Sequence, residues 1–127
     1  MDRSQLGTAI IEIALRLGRD SHRRPDIAYF SVERVAQIDR HHGYPTVASE
    51  LAIEVLSPRE AAVDLIEKIQ WYFNNGVREV WLLYLNVREI HVYTADVTSI
   101  RRVHETDSIE TPLLPGFSLR VAEIFEN

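Results

Sequence analysis

The stretch from Glu50 to Pro58, with the amphipathic run after it, is the feature that most constrains the fold. Residues 51–56 are apolar except for Glu54, a pattern that favours a strand near the centre of a sheet. Apolar residues then recur at helical spacing between Ala62 and Phe73. A buried strand followed directly by an amphipathic helix predicts a mixed α/β fold.

The limits of this helix are predicted from its flanking residues. Ser57 is placed to cap a helix, Pro58 suits the first helical position, and Glu60 stands where a capping box requires an acid. The pair Asn75-Gly76 is typical of a helix end. The sequence therefore predicts a helix that begins at Ser57 and ends at Asn75-Gly76.

The remaining elements follow from the same two periodicities. Alternation of apolar and polar residues predicts a strand over 11–17 and a second strand over 27–32, which we expect to form a hairpin. A nearly all-apolar run over 80–85 predicts a strand buried on both faces. Weaker patterns predict a helical turn in 33–39, a strand over 89–93, an edge strand in 99–103, an apolar loop covering the core over 112–117 and a last helical turn in 121–125.

The composition narrows the class of protein. A chain of 127 residues suits one domain, and it contains neither an apolar run long enough to cross a bilayer nor an export leader. The sequence lacks cysteine, which excludes disulfides and cysteine metal sites and favours a cytoplasmic location. A formal net charge of -5 argues against a broad phosphate-binding surface. A local one stays possible, because an acidic metal site adds negative charge of its own.

Three residues are predicted to converge. Asp26 begins the second strand and Glu54 lies near the end of the third, so antiparallel pairing of these strands would make the two carboxylates neighbours. The extended chain advances about 13 Å from Glu54 to Pro58, and a helix returns about 15 Å from Pro58 to Lys68. The ammonium of Lys68 is therefore expected level with Glu54.

Such a group predicts metal-dependent phosphate chemistry. Two carboxylates facing a wet cleft suit Mg²⁺, which prefers oxygen ligands and retains several waters; Mn²⁺ is the expected substitute. The ion would polarise a phosphodiester and lower the pKa of a bound water. A lysine beside it would orient the water or neutralise charge that builds up on the phosphate.

Each of these residues also has a purely structural explanation. Asp26 could accept hydrogen bonds in a turn, and Glu54 could form a structural ion pair with Lys68. Lys68 could instead pair with Asp64 one helical turn earlier, a contact worth only a few tenths of a kcal/mol. Glu50 could line the same cleft as Glu54 or be an exposed charge at the start of its strand.

Other chemically capable residues carry weaker signals. Adjacent histidines point apart, so His41-His42 is interpreted as a solvated loop, and Arg23 and Arg24 could hold phosphate or be ordinary solvated charges. The remaining residues of this kind are His22, His91 and His104, which show no ligand spacing, and Trp71 and Trp81, which are interpreted as packing residues.

Five motifs, in order along the chain, resemble one known family. They are Arg24–Phe30 (RPDIAYF), Leu51–Pro58 (LAIEVLSP), Asp64–Lys68 (DLIEK), Tyr72 with Gly76–Trp81 (GVREVW), and Leu114–Phe117 (LPGF). Together they resemble the Uma-two family of predicted restriction endonucleases, in the PD-(D/E)xK nuclease superfamily. The resemblance extends from about Ile11 to Phe125, nearly the whole chain.

The resemblance implies a restriction-endonuclease-like domain, with a central mixed sheet flanked by helices, and a Mg²⁺-dependent endonuclease that cleaves DNA. By motif position Asp26 would be the first metal carboxylate and Glu54 the second. The superfamily lysine usually stands two residues after the second acid, where this chain has Leu56, so Lys68 would be its migrated replacement. Relatives usually carry a further N-terminal helical segment, so a shortened domain over 1–127 is expected.

Two further functions stay open. The chain could be a catalytically inactive nuclease-fold module that binds nucleic acid or a protein partner, or a folded remnant that acts only through self-association. Homodimerisation is expected for an enzyme that cuts both strands, because each strand requires an active site.

Overall fold

A six-stranded mixed sheet forms the centre of the fold. The computed structural model describes residues 7–11, 15–16, 22–38, 47–96 and 100–125, and these are the residues discussed below. The strands are β1 (Thr8–Ile11), β2 (Leu15–Arg16), β3 (His22–Arg23), β4 (Ile27–Phe30), β5 (Leu51–Leu56), β6 (Glu79–Tyr84), β7 (Glu89–Thr94), β8 (Arg101–His104), β9 (Ser108–Ile109) and β10 (Leu119–Arg120). The helices are α1 (Val32–Val35), α2 (Ala62–Asn74) and α3 (Val121–Ile124).

The order of the strands in the large sheet is β1-β4-β5-β6-β7-β8. Strands β5 and β6 are parallel, and α2 is the crossover between them. The other neighbouring pairs are antiparallel, and the short strands form two separate ribbons, β2 with β3 and β9 with β10. The predicted class, a mixed sheet with flanking helices, is confirmed.

Each face of the sheet has its own hydrophobic cluster. The helix face is covered by α2, whose residues Leu65, Ile69 and Tyr72 pack against the strands. The C-terminal face is covered by the segment after β8, including Leu113, Leu114 and Val121. Because both faces of β6 are covered, all its residues except the last are buried, as the apolar run over 80–85 predicts.

The predicted start of α2 is wrong. Residues 57–60 form a turn in which the backbone N–H of Glu60 donates to the carbonyl of Ser57 at 3.3 Å, and the helix begins at Ala62. The N-cap position is taken by Ala61, whose methyl side chain cannot accept a hydrogen bond. The predicted end is confirmed: the helix is capped at Asn75, and Gly76 adopts a φ of 101° that suits glycine.

The first two predicted strands are shorter or divided. The alternating run 11–17 contains the end of β1 and, separately, β2, while residues 12–14 and 17 lie outside the described residues. β4 ends at Phe30 because Ser31 caps α1, its Oγ accepting from the backbone N–H of Arg34 at 3.2 Å. Of the predicted hairpin between 11–17 and 27–32, the structure shows Ile11 paired with Ile27, whereas Leu15 and Arg16 pair with Arg23 and His22.

The C-terminal predictions agree with the structure. β8 is the edge strand, the loop around Leu113 and Leu114 packs on the core, and α3 is the last helical turn. The sequence did not predict the two-residue strands β9 and β10. Of the helices in the described part of the chain, none combines the length and the apolar content that a membrane crossing requires.

Candidate functional site

Glu54 is a carboxylate buried between the sheet and α2. It is the fourth residue of β5, and only 6% of it is exposed. Its Oε1 accepts a hydrogen bond from the hydroxyl of Tyr72 at 2.6 Å, and its Oε2 lies 3.7 Å from Nζ of Lys68. Lys68 and Tyr72 are four residues apart, so they share one side of the helix and reach the same carboxylate.

Asp26 lies beside Glu54 on the neighbouring strand. The antiparallel register pairs Ile27 with Ile53, so one step further along it places Asp26 opposite Glu54. Oδ2 of Asp26 accepts a hydrogen bond from the backbone N–H of Val55 at 2.6 Å. The structure therefore brings together the two acids that the sequence predicts as neighbours, and it also shows that Asp26 has a structural hydrogen bond.

Lys68 lies between two carboxylates. Besides Glu54, its Nζ is 3.7 Å from Oε2 of Glu60, and 19% of its side chain is exposed. Glu60 therefore faces the candidate site and does not cap the helix as predicted. The ion pairs of Lys68 in the described structure are with Glu54 and Glu60, so the alternative pairing with Asp64 is not the one formed.

The pKa of Glu54 is raised above the ordinary value for glutamate. Burial, which removes water from the carboxylate, is the main cause. The hydrogen bond from Tyr72 and the charge of Lys68 act in the opposite direction, whereas the nearby charges of Asp26 and Glu60 raise the pKa further. Lys68 pairs with Glu54 and Glu60, and Asp26 also acts on Glu54, so the acids at this site outnumber its ammonium group, a surplus of negative charge that favours a cation.

The donor set fits Mg²⁺ binding through two carboxylates. Mg²⁺ is typically held by one or two carboxylates and completes its shell with waters and substrate phosphates. Within the described residues, no group of three or more His, Cys, Asp and Glu side chains is arranged to hold a metal ion. A cavity of about 470 Å³, lined by Arg59, Glu60, Ala61, Asp64, Glu67 and Lys68, opens beside the site and offers space for water and phosphate.

Glu50 has a different role from either predicted one. It is 7% exposed, so it is not an exposed charge. Its Oε1 accepts from the backbone N–H of Ser31 at 2.8 Å, and its Oε2 lies 3.7 Å from Nε of Arg34. Arg34 also donates to the carbonyl oxygens of Ala48 and Gly76, at 3.0 and 3.1 Å. Glu50 thus fixes the start of α1 and does not line the Glu54 cleft.

The weaker candidates have mixed outcomes. Trp81 is 5% exposed in the core, and Trp71 is partly buried and meets Tyr72 edge to face at 5.5 Å, as expected for packing residues. Arg24 is exposed. His41 and His42 lie outside the described residues, and the side chains of His22 and Arg23 are not among those described. His91 and His104, which showed no ligand spacing, both contact Glu89.

Comparison with known proteins identifies the family. The family model described as "Uma2: Putative restriction endonuclease" matches residues 1–122. The chain belongs to the Uma2 family. The resemblance that the five sequence motifs indicated is therefore confirmed over almost the whole chain.

A solved structure has the same fold as this Uma2 chain. It is described as a putative nuclease belonging to DUF820 from Anabaena variabilis, with a TM-score of 0.79 and 19% sequence identity. The match covers 97% of this chain and 70% of the other. At this identity the likeness establishes the fold alone. No curated protein sequence matches the chain.

Proposed function

We propose that this Uma2 chain is a Mg²⁺-dependent endonuclease that hydrolyses DNA phosphodiester bonds. The observation that carries the proposal is the convergence of Asp26, Glu54 and Lys68 from two strands and a helix, with Nζ of Lys68 3.7 Å from Glu54. The descriptions of the family and of the solved relative, which both refer to nucleases, support the same class of reaction.

Each residue of the candidate site has its own role in the proposed reaction. Asp26 and Glu54 would hold the ion, which when bound supplies a Lewis acid and a water of lowered pKa. Hydrogen bonds from the Val55 N–H and the Tyr72 hydroxyl orient the two carboxylates. The Lys68 ammonium would stabilise negative charge that develops on the phosphate when water attacks phosphorus and the bond to the leaving oxygen breaks.

A second function is favoured by a specific observation. Both oxygens of Glu54 already have partners, Tyr72 and Lys68, as in an ion pair that serves only the fold. A nuclease-fold module without catalysis would keep this pair and bind nucleic acid or a protein partner. The two functions differ in whether Asp26 and Glu54 bind a divalent ion.

The test combines cleavage with metal binding. Nicking of supercoiled plasmid DNA is measured in Mg²⁺, Mn²⁺ and chelator, and Mn²⁺ binding is measured by calorimetry. D26N and E54Q should abolish cleavage and weaken Mn²⁺ binding. E123Q, which removes one negative charge at an exposed position of α3, is the matched control and should retain both. Ion-independent DNA binding without cleavage would select the non-catalytic module.

Lys68 is tested separately, because its proposed role assumes that it replaces the lysine that usually stands two residues after the second acid. K68A should lower the cleavage rate by about 100-fold, the scale of losing one charge-stabilising donor. K68R keeps the positive charge and should retain more activity than K68A. Equal rates for K68A and the wild-type chain would remove Lys68 from the mechanism.

Cutting both DNA strands would require two such sites, so a homodimer remains a prediction, as does a cytoplasmic location. Sedimentation equilibrium of the full chain, with and without duplex DNA, measures the oligomeric state directly. A monomer in both conditions would predict nicking of single strands.

A further inference from the structure

A second charged cluster lies at the start of β7, around the carboxylate of Glu89. Nε2 of His91 lies 3.1 Å from Oε1, and Nδ1 of His104 lies 3.0 Å from Oε2. Arg102 donates to both oxygens, through Nη2 at 3.1 Å to Oε1 and 3.0 Å to Oε2. The carboxylate is buried, whereas 59% of the Arg102 side chain and 53% of the His104 side chain are exposed.

Glu89 holds these three side chains in place. Its pKa is lowered, first by the hydrogen bond from His91 and then by the hydrogen bond and charge of Arg102 and the charge of His104, against the effect of burial. The carboxylate therefore stays ionised and orients its partners. A guanidinium has five N–H donors, and Arg102 uses Nε and Nη2 toward Glu89, so its exposed side chain retains N–H groups for another anion.

The sheet register connects this cluster to the candidate active site. Glu54 is paired with Leu82, Leu82 with His91, and His91 with Arg102, which forms one row across four strands. Three strand spacings separate Glu54 from Arg102, about 14 Å.

The cluster and the active site lie on the same face of the sheet. The ring of Tyr84 packs against the hydrophobic cluster of the helix face and lies 4.3 Å from the ring of His91, between centroids. The charge of Glu60 also acts on Tyr84, contributing to its raised pKa after burial and the effect of Tyr93. Tyr84 thus lies between the Glu60–Lys68 side of the active site and the Glu89 cluster.

We propose that His91, Arg102 and His104 form a basic strip that binds backbone phosphates of the DNA substrate beyond the cleavage point. The proposal rests on the proposed function, because it takes the DNA that is cleaved at Glu54 to extend toward the β8 edge of the sheet. A distance of about 14 Å corresponds to roughly four base-pair steps of 3.4 Å along duplex DNA.

The neighbouring residue Arg101 provides a matched control. It stands next to Arg102 on β8, so its side chain points to the opposite face of the sheet, where its Nη2 donates to the carbonyl oxygen of Glu110 at 2.9 Å. Substituting either arginine removes one positive charge from the same strand. The two substitutions should differ in their effect on DNA binding only if binding depends on the face of the sheet to which the side chain points.

Binding of a fluorescein-labelled 20-base-pair duplex is measured by anisotropy, in Mg²⁺ on the E54Q background, over a series of salt concentrations. The variant R102A/H104A should weaken binding at least tenfold and reduce the slope of log affinity against log salt by about 1–2. R101A should change neither by more than twofold. R102Q removes the positive charge but retains an N–H donor toward Glu89. It should show the loss of DNA binding that Arg102 alone causes, while its circular dichroism spectrum stays unchanged.

Equal binding by R102A/H104A and R101A would overturn the strip, as would the absence of DNA binding by the parent chain. Cleavage is measured separately, in chains that retain Glu54. Strip-dependent binding without cleavage would remove the nuclease mechanism and keep the strip. Cleavage with equal binding by the variants would remove the strip and keep the nuclease mechanism.

Discussion

Glu54 and Glu89 are both buried glutamates on the helix face of one sheet, but their surroundings are opposite. Glu54 has two other acids, Asp26 and Glu60, and one lysine near it, and its pKa is raised. Glu89 contacts one arginine and two histidines, and its pKa is lowered. Burial raises the pKa of both carboxyls. At Glu54 burial is the largest effect, whereas at Glu89 the hydrogen bond from His91 is larger and acts together with Arg102 and His104 in the opposite direction.

The comparison separates two kinds of charged cluster. A cluster with surplus acid favours a bound cation, and a carboxylate surrounded by bases holds those bases ready for an anion. Glu79 is an instructive third case: it is 3% exposed, and its carboxylate accepts from two neutral donors, Nε1 of Trp81 at 2.9 Å and Oγ1 of Thr111 at 2.6 Å. Its hydrogen-bond partners carry no formal charge, so they add neither positive nor negative charge around the carboxylate.

The largest expected effect is that of E54Q. Cleavage should fall by at least about 100-fold, the scale of losing a principal electrostatic contact in the transition state. The melting temperature at pH 8 should rise by a few degrees.

The pKa of Glu54 is higher in the folded chain than in the unfolded one, so its contribution to stability is present at low pH and lost as pH rises through the folded pKa. Melting temperatures between pH 5 and 8 should show the gain of E54Q growing with pH. A lower melting temperature for E54Q at pH 8 would mean that the Lys68 ion pair outweighs the cost of burial.

E89Q should show the opposite pH dependence. The folded-state pKa of Glu89 is lowered, so its stabilising contribution is present above the unfolded pKa and lost as pH falls through the folded value. The variant should be less stable than the wild-type chain at pH 7, and the difference should shrink on acidification. Urea unfolding from pH 7 to pH 3 measures it. A loss that is independent of pH would contradict the ionised role of Glu89.

The smallest effect concerns the helix that carries Lys68, without any change of charge. Ala61 has the extended backbone of an N-cap residue, with φ -75° and ψ 142°. A61S should stabilise the chain by about 1 kcal/mol, because a serine hydroxyl can accept from a free N–H of the first turn. A62S, one position further and inside the helix, should be neutral or slightly destabilising. Equal melting temperatures for A61S and A62S would show that the first turn gains nothing from a cap.

The sequence predicted the part of the site that depends on local periodicity. The apolar run 51–56 and the helical spacing after it were sufficient to place Glu54 on β5 and Lys68 on α2, and antiparallel pairing of two strands brought in Asp26. The Ser57-Pro58 signature was misleading, because these residues form a separate turn before the helix. The error mattered little for Lys68 but concealed Glu60, which contacts it.

The contacts that sequence reasoning missed are long-range. Glu89 and Arg102 meet only because β7 and β8 pair in one particular register, and Glu50 meets Ser31 across 19 residues of chain. Neither pair leaves a local spacing signal. The histidines of the strip were dismissed for the same reason, since His91 and His104 are brought to one carboxylate by strand pairing and not by proximity in sequence.

The crossover from β5 to β6 has a consequence for divergence within the family. A residue inserted into α2 before Lys68 would rotate its side chain by about 100° around the helix axis, away from Glu54. The β6–β7 turn carries no such constraint, because lengthening it leaves the orientation of both strands intact. Relatives should therefore accept insertions and deletions in that turn while keeping the number of residues between the start of α2 and the lysine constant.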